Sequence, residues 1–252
     1  MSLLLTVDVG NSQTKLGWFE ERRLRGQRQF VTGARRAAEA IADLVAGLPQ
    51  PPSGAAMSCV VPEAVEEWRQ ALRAAAGAAP LVVSGDSDVG IRNHYRDPAT
   101  LGPDRLVGAL AARELYGAPV IVVSLGTATV LDAVSRAGEF IGGAIAPGVE
   151  TSLAALVERA ARLLPVTFEQ APTAIATDTR GAMIAGAYFG SIGQVKELLA
   201  RVRAEMGEDA PAVLTGGHAE LVARELRNVA GVEPALNLIG LRLAWENVHP
   251  VE

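Results

Sequence analysis

The sequence predicts an α/β protein of two lobes, each a copy of one β-β-β-α-β-α-β module. Three observations carry this expectation. The chain opens on three strand-like runs joined by short turns. Helical and strand-like segments then alternate to about residue 117. From Val120 the same order starts again, with a glycine turn after an apolar strand in both places. A chain of 252 residues is long enough for two such cores. The division is expected at 1–117 and 118–252.

Each element has its own local reason. Residues 3–9, 14–20 and 24–31 are apolar or alternating runs separated by turn residues, as strands require. Arg35 to Leu48 carries Ala, Ile and Leu at helical spacing and is stopped by Gly47 and Pro49. Residues 55–61 read as a buried strand, Pro62 to Ala76 as a helix, and 80–84 as a strand. A loop spans 85–102. Pro103 and Asp104 then suit the first turn of a helix that ends near Gly117, because proline fits there and an acid favours the positive end of the helix dipole. In the second half, strands are expected at 120–125, 129–135, 139–146 and 211–214. Helices are expected at 151–164, 181–206 and 218–226. A short strand and a helix over 236–248 close the second lobe.

Hydrophobic residues make up 49% and charged residues 20%, a balance that supports a packed core and excludes disorder. The net charge of -5 and the shortness of the basic run Arg22 to Arg28 argue against nucleic-acid binding, which needs clustered cations. A single cysteine, Cys59, excludes an intramolecular disulfide and a multi-cysteine zinc site, and its apolar neighbours make it a core thiol. His94, His218 and His249 lack metal-ligand spacing. No apolar run approaches the roughly 20 residues of a membrane span. The N-terminus meets a strand at once, with no basic segment before it, so the expected location is the cytoplasm.

The stretch Asp8-Val9-Gly10-Asn11-Ser12-Gln13-Thr14-Lys15 carries the most chemistry. An acid ends the first strand, and a small, hydroxyl-bearing turn follows. Phosphates are held by backbone N–H groups, hydroxyls and a cation, with little side-chain bulk in the way. This hairpin offers all three, and the chain has no GxxxxGK[ST] loop. Laid on the second half, Asp8-Val9-Gly10-Asn11-Ser12 matches Ser124-Leu125-Gly126-Thr127-Ala128, with only the glycine shared. Two lobes face to face would turn both hairpins into one cleft. Asp104 reads either as an acid at a helix start or as a catalytic carboxylate.

Several ordered motifs resemble the type III pantothenate kinase family over nearly the whole length. They are DVGNSQTK at 8–15, YRDPATLGPDR at 95–105, LGTATVLD at 125–132, GGAIAPGVETSLAAL at 142–156, LP at 164–165, DTRGAMIAGAYFGSIGQV at 178–195 and LTGG at 214–217. The resemblance implies two ribonuclease H-like lobes, as in acetate and sugar kinases, Hsp70 and actin. It implies phosphoryl transfer from ATP to pantothenate, the first step of coenzyme A synthesis, by a homodimer whose pantothenate pocket lies near the subunit interface. It also implies Mg²⁺ and a monovalent cation, potassium or ammonium.

Carried over residue by residue, the resemblance makes Asp104 the general base. Tyr95, Gly102, Pro103, Arg105 and Thr179 become pantothenate contacts, although Thr179 could instead be a plain helix cap. Asp8 would hold Mg²⁺ through water. Val9, Gly10, Asn11, Ser12, Gln13 and Thr14 would meet ATP, as would Thr127, Gly216 and Gly217. Lys15 either offsets phosphate charge or is a solvated strand lysine. Asp132 either serves the cleft or caps a turn.

One departure stands out. The family places an aspartate, the monovalent-cation ligand, where this chain has Ser124. A neutral hydroxyl holds a cation less well, so potassium dependence is expected to be weak or absent. Two other functions fit the same scaffold: a non-catalytic regulatory relative acting as a transcription accessory factor, and a kinase or phosphohydrolase of another small molecule.

Overall fold

Seven consecutive buried residues, Leu3–Val9, form the central strand β1 of the first sheet. A strand hidden on both faces needs a layer on each side, and the rest of the first unit supplies them. The computed structural model describes residues 3–250. β1 runs antiparallel to β2 (Gln13–Glu20), and β2 to β3 (Arg23–Val31). On its other edge β1 runs parallel to β4 (Gly54–Cys59), and β4 to β5 (Leu81–Val83). The sheet order is β3-β2-β1-β4-β5. Helices α1 (Ala37–Val45) and α2 (Val65–Ala76) cover one face, where Leu3, Leu5, Val7 and Leu16 pack with Ile41, Leu44 and Leu72. After a long loop comes α3 (Pro103–Tyr116), whose residues Leu106 to Ala112 are all buried.

The second unit repeats the arrangement. β6 (Val120–Leu125), β7 (Ala128–Val134) and β8 (Phe140–Pro147) are antiparallel neighbours. Helices α4 (Val149–Arg159) and α5 (Thr179–Met206) lead to β9 (Ala212–Gly216), which runs parallel to β6. A short α6 (Ala219–Ala223) precedes β10 (Val229–Val232), which runs parallel to β9. Read from β8, the order β8-β7-β6-β9-β10 has the same neighbours and directions as the first sheet. Ile121, Val123, Leu125 and Leu131 pack here against Val195 and Leu199 of α5. The repeat is therefore one of backbone topology, with two helices rather than one after the third strand.

Register fixes which residues of the two hairpins correspond. Asp8 pairs with Lys15 and Val9 with Thr14; Ser124 pairs with Val130 and Leu125 with Thr129. Asp8 thus corresponds to Ser124 and Gly10 to Gly126, as the sequence suggested. The match of Asn11 with Thr127 does not hold, because the first turn is one residue longer. Thr32 N–H donates to the Ser12 carbonyl as Gly148 N–H donates to that of Thr127, so Ser12 takes the place of Thr127.

The division of the chain also differs from expectation. One compact unit comprises the chain to Leu115 and again from Ala235 onward; the other is Tyr116–Pro234. The last helix, α7 (Leu236–Val248), packs on β1, β2, β4 and β5 of the first sheet rather than closing the second lobe. The reason lies in the second face of β1. Leu238 of α7 meets Leu4 and Phe19, and the Trp245 ring lies where Gly54 leaves room for it, with a ring carbon 2.5 Å from the position of a missing Cβ. Helical periodicity shows that α7 has an apolar stripe. It does not show which sheet the stripe covers.

Candidate active site

Strand alternation sends Leu4, Thr6 and Asp8 to the α7 face of the first sheet. Asp8 is only 8% exposed, at the C-terminal end of the strand. Both its oxygens are held. Ser58 Oγ donates to Oδ1 at 2.7 Å from the neighbouring parallel strand, and Asn237 Nδ2 donates to Oδ2 at 2.8 Å from α7. A carboxylate offers about four lone-pair positions, so each oxygen keeps capacity for a further partner. Lys15 is the direct cross-strand neighbour of Asp8 and therefore shares its face. It is half-buried. Burial lowers its ammonium below the ordinary lysine range, while Asp8 pulls the other way. The side chain is therefore partly withdrawn from solvent.

Asp104 stands in the first turn of α3. Its carboxyl is pushed up to about 6, by burial first and by the negative charge of Asp8 second; the Arg105 N–H and guanidinium oppose this. The side chain folds back over Gly102, where an added Cβ would come within 2.5 Å of Oδ1. Any larger residue at 102 would displace the carboxylate. Arg105 N–H donates to the Gly102 carbonyl at 3.1 Å, closing the first turn. Arg105 Nη1 donates to Tyr95 Oη at 2.9 Å, and its guanidinium carbon lies 5.3 Å from the Tyr95 ring centre. The loop is braced in turn: Asn93 Oδ1 accepts from Tyr95 N–H, and Asn93 Nδ2 donates to the Gly85 carbonyl. Asn247 of α7 donates to the Val89 carbonyl. Asp8, Lys15, Tyr95, Gly102, Pro103, Asp104 and Arg105 all belong to this one unit.

Within the hairpin, Val9 is fully buried in the core and can offer only its backbone. Gly10, Asn11, Ser12 and Gln13 form the turn and its exit, and the last three are exposed. Thr14 is buried, with its hydroxyl 2.9 Å from that of Thr32.

The second unit holds the remaining expected residues. Thr127 sits in the β6–β7 turn, and its carbonyl accepts the Thr151 hydroxyl at 2.6 Å. Gly216 ends β9 with a positive φ of 100°, pressed so close to Leu125 that a Cβ would lie 2.2 Å from its carbonyl oxygen; only glycine fits. An added Cβ at Gly217 would meet nothing within 4 Å. Ser124 is half-buried near the end of β6. Asp132 is buried in mid-strand, opposite Val122 and Gly143. Thr179 opens α5, but the cap is Asp178, whose carboxylate accepts from Gly181 N–H at 2.8 Å. The plain-cap reading of Thr179 fails on that contact.

Ser58 and Asn237 escaped the sequence reading. Ser58 could have been found, because a parallel strand beside β1 must set one residue level with Asp8. Asn237 lies 229 positions from Asp8, on a helix assigned to the wrong lobe, and no local signal marks it. Among the described residues no group of three or more His, Cys, Asp or Glu could hold a metal, and no helix is long and apolar enough to cross a membrane.

Duplicated five-stranded units of this order place the chain in the two-lobed sugar-kinase class of folds. An inorganic polyphosphate/ATP-glucomannokinase from Arthrobacter is similar over 98% of this chain and 99% of its own, at a TM-score of 0.51 and 18% identity. A conserved Campylobacter jejuni protein, provisionally described as a Baf family transcriptional activator, is similar over 98% and 100% at a TM-score of 0.63 and 16% identity. At these identities the likeness is one of fold. Sequence is more specific. The family profile of type III pantothenate kinases matches residues 4–201. Type III pantothenate kinases of Roseiflexus sp. and Parafrankia sp. are 40% and 41% identical to this chain, covering 97% and 98% of it and 98% and 100% of their own lengths. The chain belongs to the type III pantothenate kinase family.

Two expectations follow. Asp104→Asn removes a carboxylate that folding holds above its usual range. It should lower turnover by about 10²–10⁴-fold yet raise stability by roughly 1–3 kcal/mol at pH 8. In the wild type the stability due to the protonated carboxyl is full below the unfolded value near 3.8 and is lost as pH rises through about 6. Melting curves of both proteins should therefore converge at pH 3.5 and separate at pH 8, and wild-type kcat/KM should fall on the acid side of about pH 6. Asn237→Ala should cost about 10–100-fold in turnover or in metal affinity, as loss of an orienting partner does elsewhere. A magnesium titration of the rate checks it.

Proposed function

We propose that this protein transfers the γ-phosphoryl group of ATP to the hydroxyl of pantothenate, giving 4′-phosphopantothenate for coenzyme A synthesis. One observation carries the reading beyond family membership. A carboxyl raised to about 6 stands at a helix start beside an Arg–Tyr pair and in the same unit as the hairpin aspartate. Phosphoryl transfer asks for positioning and charge stabilisation more than covalent chemistry. At neutral pH Asp104 is mostly ionised, and its raised value makes it a stronger base than an ordinary carboxylate. It takes the proton of the attacking hydroxyl. The Arg105 fork suits the carboxylate of pantothenate, and Tyr95 orients that fork. Gly102 and Pro103 shape the wall, and Thr179 keeps a hydroxyl for pantothenate because Asp178 does the capping.

The residues around Asp8 fit a magnesium ion held through water. Mg²⁺ keeps much of its hydration and meets proteins through one or two carboxylates rather than a full protein cage. A single carboxylate, oriented by Ser58 and Asn237 with lone pairs to spare, is that kind of donor. When bound with the nucleotide, the ion neutralises developing phosphate charge. Gly10, Asn11, Ser12 and Lys15 offer donors and a cation to the phosphates. In the second unit Thr127, Gly216 and Gly217 offer backbone that a nucleotide can approach.

A homodimer is part of the reading. A groove of about 520 Å³ lies between α4 and α5, lined by Val149, Leu153, Leu156, Thr179, Met183 and Gly190 among others. Ile145 on β8 is 63% exposed. Such a surface supports burial against a second copy. Cytoplasmic location and absence of nucleic-acid binding complete the reading. The regulatory alternative is disfavoured because Asp8, Asp104, Arg105 and Thr179 are all present.

Incubation with ATP and Mg²⁺, with and without pantothenate, tests the assignment. Release of ADP should require pantothenate and should be lost in Asp104→Asn. Release without acceptor indicates a hydrolase, and silence of both proteins a regulatory role. Exchange of sodium for potassium at fixed ionic strength should leave the rate essentially unchanged, because Ser124 supplies no charge. Ser124→Asp should introduce potassium activation.

A further inference from the structure

The two hairpin turns are held from behind by the same kinds of donor. In the first unit, the residue that follows β3 is Thr32. Its hydroxyl donates to the Gly10 carbonyl at 2.8 Å, and its N–H donates to the Ser12 carbonyl at 3.0 Å. The Thr32 hydroxyl has a single proton, spent on Gly10, so the 2.9 Å contact with Thr14 is one in which Thr14 donates. In the second unit, the chain that follows β8 acts on Thr127. Gly148 N–H donates to its carbonyl at 3.1 Å and the Thr151 hydroxyl at 2.6 Å. The identities and the intervening chain differ between the units. The shared device is a backbone N–H and a threonine hydroxyl, both supplied just past the third strand to carbonyls of the turn.

The consequence is set by the peptide bond. In a trans, planar peptide the carbonyl and the following N–H point in opposite directions. Drawing the Gly10 carbonyl back toward Thr32 therefore turns the Asn11 N–H outward, where Asn11 and Ser12 are exposed. The Ser12 carbonyl does the same for Gln13 N–H, and the Thr127 carbonyl for Ala128 N–H. Donors fixed before a ligand arrives bind an anion without reorganisation. Without the threonine hydroxyl the Gly10–Asn11 peptide can rotate and present a carbonyl, which repels phosphate.

We propose that Thr32 and Thr151 are positioning residues, each aiming the backbone N–H groups of the hairpin turn in its own unit toward nucleotide phosphate. This rests on the reading of the hairpins as ATP contacts.

Thr32→Val and Thr151→Val keep shape and remove the hydroxyl; Thr32→Ser and Thr151→Ser keep it. Calorimetric titration with a non-hydrolysable ATP analogue and Mg²⁺ reads binding directly. Each valine variant should weaken binding by at least about fivefold, the scale of one lost hydrogen bond. Each should raise KM for ATP by a similar factor while leaving KM for pantothenate unchanged, and the serine variants should restore wild-type values. Thermal melting should shift little. Unchanged analogue binding in both valine variants overturns the proposal, as does a serine variant that behaves like valine. If a valine variant does not fold, its serine partner against alanine gives the same comparison. A wild-type protein that binds the analogue but shows no pantothenate-dependent turnover defeats the pantothenate assignment and leaves the clamp intact. A wild-type protein that does not bind the analogue overturns both.

Discussion

Two carboxylates of like charge, Asp8 and Asp104, are kept within electrostatic reach of each other in a half-buried setting, and the rest of the first unit serves that constraint. Left alone, such a pair would separate or take up a proton. Here Asp8 is fixed by hydroxyl and amide donors from a neighbouring strand and the returning helix. Asp104 stands in the first turn of α3, with its carboxylate in the space that Gly102 leaves by lacking a Cβ. Burial first and the charge of Asp8 second hold the Asp104 carboxyl above its usual range, a shift of the kind that suits the proposed base.

That arrangement depends on the closing helix crossing back to the first sheet. α7 brings Asn237 to Asp8 and Asn247 to the loop that carries Tyr95. Gly240 lets it lie against α3 at Val107, where an added Cβ would fall 2.0 Å from a carbonyl oxygen. The helix bearing Asp104 and the helix orienting Asp8 are therefore packed closely together. A truncation before α7 would remove more than a peripheral element.

The duplication is equally informative for what it does not repeat. At the same register the first hairpin carries Asp8 opposite Lys15, and the second carries Ser124 opposite Val130. Both charges are gone from the second copy, while the topology and the backing of the turn remain. The fold is tolerant because sheet order depends on apolar alternation and turn chemistry. The charges are dispensable to it, so each copy could take its own chemical role.

Much of this was legible in the chain. The strands, the two-fold repeat, the hairpin glycines and the turn holding Asp104 follow from short-range rules, because alternation, helix starts and tight turns are set by residues within a few positions of one another. Local rules could not say which face of a strand a lysine occupies once two hairpins differ in length, nor that Asp178 rather than Thr179 caps α5. They also put the domain boundary in the wrong place. Asp8, Ser58 and Asn237 meet only because a parallel strand and a helix from the far end of the chain are driven onto the two faces of one buried strand. Burial is non-directional and insensitive to sequence distance. The sequence determined the parts and their chemistry; tertiary packing decided which of them share a site.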